Sequence, residues 1–447
     1  MFFVAASGGS CPSCRVKLEV RRNLSQIAGT ALIGLCAGLV AVFFHIAMER
    51  VFDYLIWTPS TENPWWFGYT TIFLMVSGAA LTGVLISRFA PDAPGSGIPQ
   101  VKAAYHSGRL DFSWNLIWVK FLGGVLSIGT GSSLGREGPT IHIGAAVASK
   151  VANLLGEDKA AKANAVCAGS AAGLSAAFNS PLAGVTLVLE EIAGGKNQHK
   201  FAGRSLLAAA IAASVVFFLS HDQASLPIGK DLLISWKVMA LSPVVAVFAG
   251  FCGLAFQYFT LGLRNRMKHI KLPMPFKLAL GAFFAGLVAL LCFRLVGYVG
   301  VFALGEVTLQ KALNHEVIWQ AALVLLVGKL IATSLCYGTG GCGGIFAPMV
   351  FFGAMAGLVV AGVATPFMHL TPDDQVLLAL VGITGTLAAV VRAPITSILI
   401  VMEMTWQIHV LPALMIAAVI AVFLNRTCFQ ANFYDAALQQ DGIKIPD

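Results

Sequence analysis

The chain has 447 residues, 57% of them hydrophobic and 11% charged, with a mean hydropathy of +0.80. Soluble domains carry roughly 25% charged residues, so this composition excludes a water-soluble globular protein and leaves a surface that faces lipid. The formal net charge of +8 does not point to nucleic acid, because the basic residues stand in short flanks between apolar segments.

In chain order, apolar segments fall at about 25–48, 66–90, 113–128, 139–155, 164–189, 203–220, 237–262, 276–298, 318–337, 345–366, 375–391, 394–404 and 408–425. No polar stretch is long enough to fold by itself, so residues 1–447 read as one all-α, polytopic membrane domain. The first 24 residues contain no apolar signal core that a peptidase would remove. Arg15, Lys17, Arg21 and Arg22 precede the first span, and Arg264, Arg266, Lys268, Lys271 and Lys277 share one mid-chain loop. Positive residues stay on the cytoplasmic side, which puts the N-terminus and the 264–277 loop there.

The nine cysteines are scattered and odd in number, which argues against a disulfide framework. Cys11 and Cys14 form a CxxC pair, but no second pair completes a zinc site. No metal is expected, and the dispersed histidines, His142 among them, read as packing residues. HExxH and Walker patterns are missing from the sequence.

A perpendicular membrane helix needs about 20 apolar residues. Several segments are shorter, and Gly or Pro interrupts them at 95–99, 135–139, 338–348, Pro181 and Pro394. Every backbone group in lipid must find a partner, so broken helices persist only under protein or around a water-filled cavity. The breaks are therefore where function is expected.

The breaks also repeat. GTGSSLGREGPT (129–140) aligns with GTGGCGGIFAPM (338–349), and Lys120 falls on Lys329 in that register. LSAAFNSPLAGVTLVLEE (174–191) aligns with LAAVVRAPITSILIVMEM (387–404), pairing Pro181 with Pro394 and Glu190 with Glu403. Repeated halves with interrupted segments in matching places mark secondary transporters with a site at the repeat interface. Hydropathy alone leaves open whether the halves, about 25–225 and 235–445, are inverted.

Three glycine-rich loops each run into an apolar segment, at Gly95–Pro99, Gly135–Thr140 and Gly343–Met349. Proline suits a helix's first turn, where unpaired N–H groups leave about half a unit of positive charge. Convergent helix ends of this kind would hold a dehydrated anion without a fixed cation, and modest binding suits turnover. Any one such loop also fits a plain surface turn. Three together, two of them repeat-related, favour the anion site.

GSGIP (95–99), GREGP (135–139) and GIFAP (344–348) resemble the three signature loops of the CLC chloride channel and transporter family, in the family's order and approximate spacing. The likeness runs from the first span to Tyr434. It marks Gly95, Gly97, Pro99, Gly135, Arg136, Gly138, Pro139, Gly344 and Pro348 as loop residues. It implies two inverted repeats of tilted, broken helices and a homodimer with one pore per subunit. It also implies chloride ligands: the Ser96 hydroxyl, the Ile345 and Phe346 backbone amides, and the Tyr434 phenol. For Tyr434 the competing expectation is an aromatic at the membrane interface.

Glu137, at the head of an apolar segment, is an anion where an anion is wanted. Ionised, it plugs the path; protonated or displaced, it opens it, which would make it both gate and proton carrier. Intramembrane ionisable groups are expensive and usually functional. Glu190 has a counterpart in Glu403 and is expected to be structural, whereas Glu191 faces Met404 and maps to the family's internal proton-transfer glutamate. That carboxylate favours proton-coupled chloride antiport over the alternative, a passive chloride channel of the same fold. Serine at position 96 argues for chloride, since nitrate-preferring relatives carry Pro there and fluoride exporters Met. Lys120, Lys329 and Arg392 are expected to line vestibules or pair with acids.

No enzyme is expected: an intramembrane catalyst using Glu137 as base lacks a second catalytic group. A cation-coupled permease lacks a cation site. Chloride and protons would be the transported ions, with no cofactor. The chain ends soon after Tyr434, without the nucleotide-sensing domains of many eukaryotic relatives, which suits a multi-pass protein of a prokaryotic inner membrane.

Overall fold

Proline and small polar caps set most helix starts among the described residues, and left-handed residues end six of the helices. The computed structural model describes residues 12–62, 64–194, 198–220, 226–229 and 231–443. Its helices are α1 (Pro12–Phe52), α2 (Thr58–Glu62), α3 (Pro64–Phe89), α4 (Ile98–Ser107), α5 (Trp114–Gly129), α6 (Glu137–Leu154), α7 (Lys159–Phe178), α8 (Pro181–Leu187) and α9 (Gln198–Ser220). They continue as α10 (Trp236–His269), α11 (Met274–Val296), α12 (Glu306–Leu313), α13 (Trp319–Gly338), α14 (Phe346–Met368), α15 (Pro372–Val391), α16 (Pro394–Thr405), α17 (Leu411–Cys428) and α18 (Phe433–Gln440). Among the described residues nine helices are long and apolar enough to cross a membrane. The protein is a multi-pass membrane protein.

Ser113, Asp158, Ser235 and Asn432 each accept a backbone N–H from the third residue of the following helix, and Thr371 and Asp374 form a reciprocal capping box. These bonds satisfy donors that a helix start leaves free. One expected segment, 164–189, is divided. Asn179 turns left-handed (φ 52°) and Pro181 cannot donate, so α7 ends and α8 begins, continuing into a π turn at Val188–Ile192. The short helices α4, α12 and α18 are too polar for a hydropathy reading to have found.

The two halves match element by element: α3 to α11, α4 to α12, α5 to α13, α6 to α14, α7 to α15, α8 to α16 and α9 to α17. Asn179 and Arg392, equivalent in the repeat, are both left-handed and both precede a proline-led helix. At the centre, Gly135 and Gly344, also equivalent, form an antiparallel bridge with N–H to O distances of 2.7 and 2.6 Å. Equivalent helices α6 and α14 thus start beside each other, which makes the halves inverted repeats.

Small residues close the packing. A Cβ on Gly169 would lie 2.2 Å from the Gly144 carbonyl, and one on Gly382 would lie 2.2 Å from the Gly353 carbonyl. These glycines bring α6 onto α7 and α14 onto α15 backbone to backbone, as small residues do in membrane helix pairs.

Candidate functional site

The three glycine-rich loops meet in the middle of the molecule. Gly95 and Gly97 adopt left-handed φ of 71° and 94°, which folds the chain tightly ahead of α4. Ser96, fully buried, sits on that fold and accepts the Ile98 N–H at 3.3 Å. The Gly95 N–H donates to the Gly341 carbonyl at 3.1 Å, tying this loop to the one before α14. The start of α6 presses on Ser96 so closely that a Cβ on Gly138 would lie 2.6 Å from the Ser96 Cβ.

Glu137 is the first residue of α6 and is fully buried. Its side chain turns back over Gly135 and its Oε2 accepts the Ala347 N–H, in the first turn of α14, at 3.4 Å. Its Oε1 has no hydrogen-bond partner. The carboxylate of one half therefore rests on the positive helix end of the other. Ile345 immediately precedes α14 and Phe346 opens it; both are buried. The Tyr434 ring stacks on Phe346 at 6.5 Å between centroids, and its hydroxyl is buried without a partner. Full burial removes Tyr434 from the membrane interface. Ser96, Glu137, Ile345, Phe346 and Tyr434 thus line one interior region, with orphaned polar atoms on Glu137 and Tyr434. A buried polar atom without a partner is costly, and here two occur beside the buried N-terminal amides of α14.

Glu191, 2% exposed, lies on the π turn after α8. Lys102 donates to its Oε1 at 2.9 Å and Asn432 to its Oε2 at 2.8 Å. Its neighbour Glu190 points elsewhere, accepting the Ile395 and Thr396 N–H groups at 3.1 and 2.8 Å and the Thr396 hydroxyl at 2.7 Å. Glu403 accepts the Leu182 and Ala183 N–H groups at 3.0 and 2.8 Å. Each glutamate caps the short helix of the opposite half, so Glu190 and Glu403 share a structural role.

Lys120 and Lys329 differ from expectation. Neither pairs with an acid. Lys120 donates to the Ala93 and Gly95 carbonyls at 2.7 and 2.6 Å, and Lys329 to the Gly300 and Ala303 carbonyls at 3.1 and 2.6 Å. Arg392 likewise binds Asn425 and the Phe429 and Gln430 carbonyls. Tight turns aim carbonyls inward where no water reaches, and long cations satisfy them. Arg136 donates to the Ala177 carbonyl at 3.2 Å, contacts His45 and pairs with Glu306 at 3.3 Å. His142 packs between Gly97 and Phe112.

Cavities approach the site from two sides. One, of about 390 Å³, is lined by Gly95, Pro99, Arg264, Lys268, Lys277 and Tyr337. The other, of about 200 Å³, is lined by His45, Glu49, Arg136, Thr140 and Glu306. Sequence reasoning missed Tyr337, whose hydroxyl would lie 3.3 Å from a Cβ on Gly95, and the Lys102, Asn432 and Asp435 surroundings of Glu191. Among the described residues no cluster of His, Cys, Asp or Glu could hold a metal. Cys11 and the Cys14 side chain lie outside them.

Residues 78–426 match the family model described as voltage gated chloride channel. The chain is similar to proteins named H(+)/Cl(-) exchange transporter ClcA. That of Vibrio cholerae serotype O1 is 33% identical over 428 residues, spanning 92% of this chain and 88% of the relative. That of Vibrio campbellii is 33% identical over 443 residues, spanning 95% and 92%. Among solved structures, a slow cyanobacterial Cl-/H+ antiporter superposes with a TM-score of 0.82 at 24% identity, covering 93% of this chain and 98% of that one. A eukaryotic CLC transporter gives 0.79 at 21%, covering 94% and 75%. The chain belongs to the CLC family and has its fold.

Proposed function

We propose that the protein exchanges chloride for protons across the membrane. The observation that carries this reading is the Glu137 carboxylate resting on the α14 helix end, beside Ser96 and the unpartnered Tyr434 hydroxyl. A carboxylate and a halide compete for the same amide donors. In the geometry described, Glu137 holds that position and the path is shut. A chloride entering from either cavity displaces it, binding to the Ser96 and Tyr434 hydroxyls and the Ile345 and Phe346 amides. Released toward the Arg136 side, the carboxylate takes a proton, and its return as a neutral acid lets chloride pass. Glu191, buried against Lys102 and Asn432, handles protons at the other end of the path.

The similarity to relatives named as H(+)/Cl(-) exchange transporters supports coupled exchange. The protein would act as a homodimer with one path per subunit, in a bacterial inner membrane, with the 264–277 loop and the N-terminus in the cytoplasm. It would be a transporter without catalytic activity or cofactor.

In proteoliposomes an outward chloride gradient should drive protons the opposite way without ATP. Chloride flux with a flat pH trace would replace exchange by a passive channel. Glu137→Ala is expected to keep anion flux and lose proton movement, read by simultaneous chloride and pH electrodes.

A further inference from the structure

Lys102 lies six residues beyond Ser96 on α4 and is nearly buried, with 8% of its side chain exposed. Its ammonium touches two carboxylates: Glu191 Oε1 at 2.9 Å and Asp435 Oδ1 at 2.5 Å. The two acids differ in access to water. Glu191 is 2% exposed and Asp435 33%. Asn432 caps α18 by accepting the Asp435 N–H at 2.8 Å, while its amide holds the second oxygen of Glu191 at 2.8 Å. Lys102 therefore bridges a partly exposed acid and a buried one directly, the Asp435 Oδ1 it touches being itself buried and held as an ion pair.

The surrounding charges favour passage. Arg392, bound to Asn425 and the Phe429 and Gln430 carbonyls, lies within electrostatic reach of both carboxylates, and Tyr434 and His106 are the other titratable groups nearby, His106 Nε2 lying 3.0 Å from the Ile192 carbonyl. With Lys102 and Arg392 positive and Glu191 and Asp435 negative, the cluster is neutral. One added proton leaves a surplus positive charge beside a buried carboxylate, which is relieved when that carboxylate accepts a proton.

We propose that Asp435 and Lys102 are the proton-loading path to Glu191. Resting on the reading of Glu191 given above, the step runs as follows. Asp435 takes a proton from water. Lys102 gives one N–H proton to Glu191 Oε1, forming an O–H bond there and leaving a neutral amine. The Asp435 O–H then breaks and its proton restores the ammonium. Glu191 ends protonated, Asp435 ends ionised and Lys102 is unchanged.

The test uses full-length protein in proteoliposomes, with chloride and proton fluxes recorded together and chloride affinity measured calorimetrically. Asp435→Asn keeps the shape of the acid, and Lys102→Arg keeps the charge but holds its proton, since a guanidinium does not deprotonate. Each is expected to cut proton flux per chloride by roughly a hundredfold, the lower end of the range for loss of a positioned proton donor, with chloride affinity unchanged. Coupling retained in Lys102→Arg would reduce Lys102 to a clamp and overturn the relay, as would coupling retained in Asp435→Asn. Asp435→Ser repeats the test if the amide disturbs α18. Glu191→Gln separates the two levels: if it keeps coupling, the reading of Glu191 itself falls; if it loses coupling while both other variants keep theirs, only the relay falls.

Discussion

At residue scale, the site is built by close approach of backbone rather than by charge. Gly138 shows this most directly. A Cβ there would lie within 2.7 Å of the Ser96 Cβ, Cα and carbonyl oxygen, none of which can swing aside. Gly138→Ala is expected to abolish chloride binding, measured calorimetrically, while the protein still inserts. Lys120 is the counterpart in polar satisfaction. Lys120→Met would leave the Gly95 carbonyl unpaired, at about 1–3 kcal/mol, and the Ala93 carbonyl with only the weak Cys342 thiol donor at 3.9 Å. A lowered thermal midpoint together with weaker chloride binding is the expected outcome, because the same carbonyls hold Ser96 in place. Glu137 and Ser96 were legible in the sequence because their loops carry specific Gly and Pro spacing. Lys102 and Tyr337 were not, since nothing local distinguishes a lysine that meets Glu191 from one that snorkels to the membrane surface.

At element scale, the inverted repeat is used twice. The helices α6 and α14 start against one another through the Gly135–Gly344 bridge, and α8 and α16 are capped reciprocally by Glu403 and Glu190. A helix of seven residues in lipid cannot leave its first N–H groups open, so a carboxylate from the other half is needed. Glu190→Gln and Glu403→Gln should each lower stability by about 1.5–3 kcal/mol, the range for hydrogen bonds to a charged group, here partly buried. Both are expected to shift the thermal midpoint and leave proton coupling intact, which separates Glu190 from its neighbour Glu191. The halves are alike in backbone and unlike in chemistry. The turn ahead of α12 repeats the left-handed pattern at Ala303 and Gly305, yet Leu304 stands where the first half has Ser96. Lys329 supports that turn as Lys120 supports the other, so the fold keeps both turns while one half supplies the hydroxyl.

At the scale of the whole molecule, the two cavities differ in charge. The larger one gathers Arg264, Lys268 and Lys277 around Gly95 and Pro99 against Asp92 and Asp441, the latter pairing to Arg264 at 2.7 Å and to Lys268. A basic mouth raises local anion concentration and loses that advantage as salt screens it, over about 10 Å at 0.1 M. Lys277→Gln is therefore expected to slow chloride uptake from that side at low ionic strength and to match the parent protein at high salt, read from initial flux rates. What the sequence alone determined was the solvent, the break points and the repeat, because each is a local pattern of hydropathy, glycine and proline. Only tertiary structure decided which breaks meet, which glutamate caps and which faces Lys102, and that the buried lysines hold carbonyls. Those outcomes depend on helices folded back across some 200 residues of chain, where no local signal reaches and the demand that every buried polar group find a partner makes the choice.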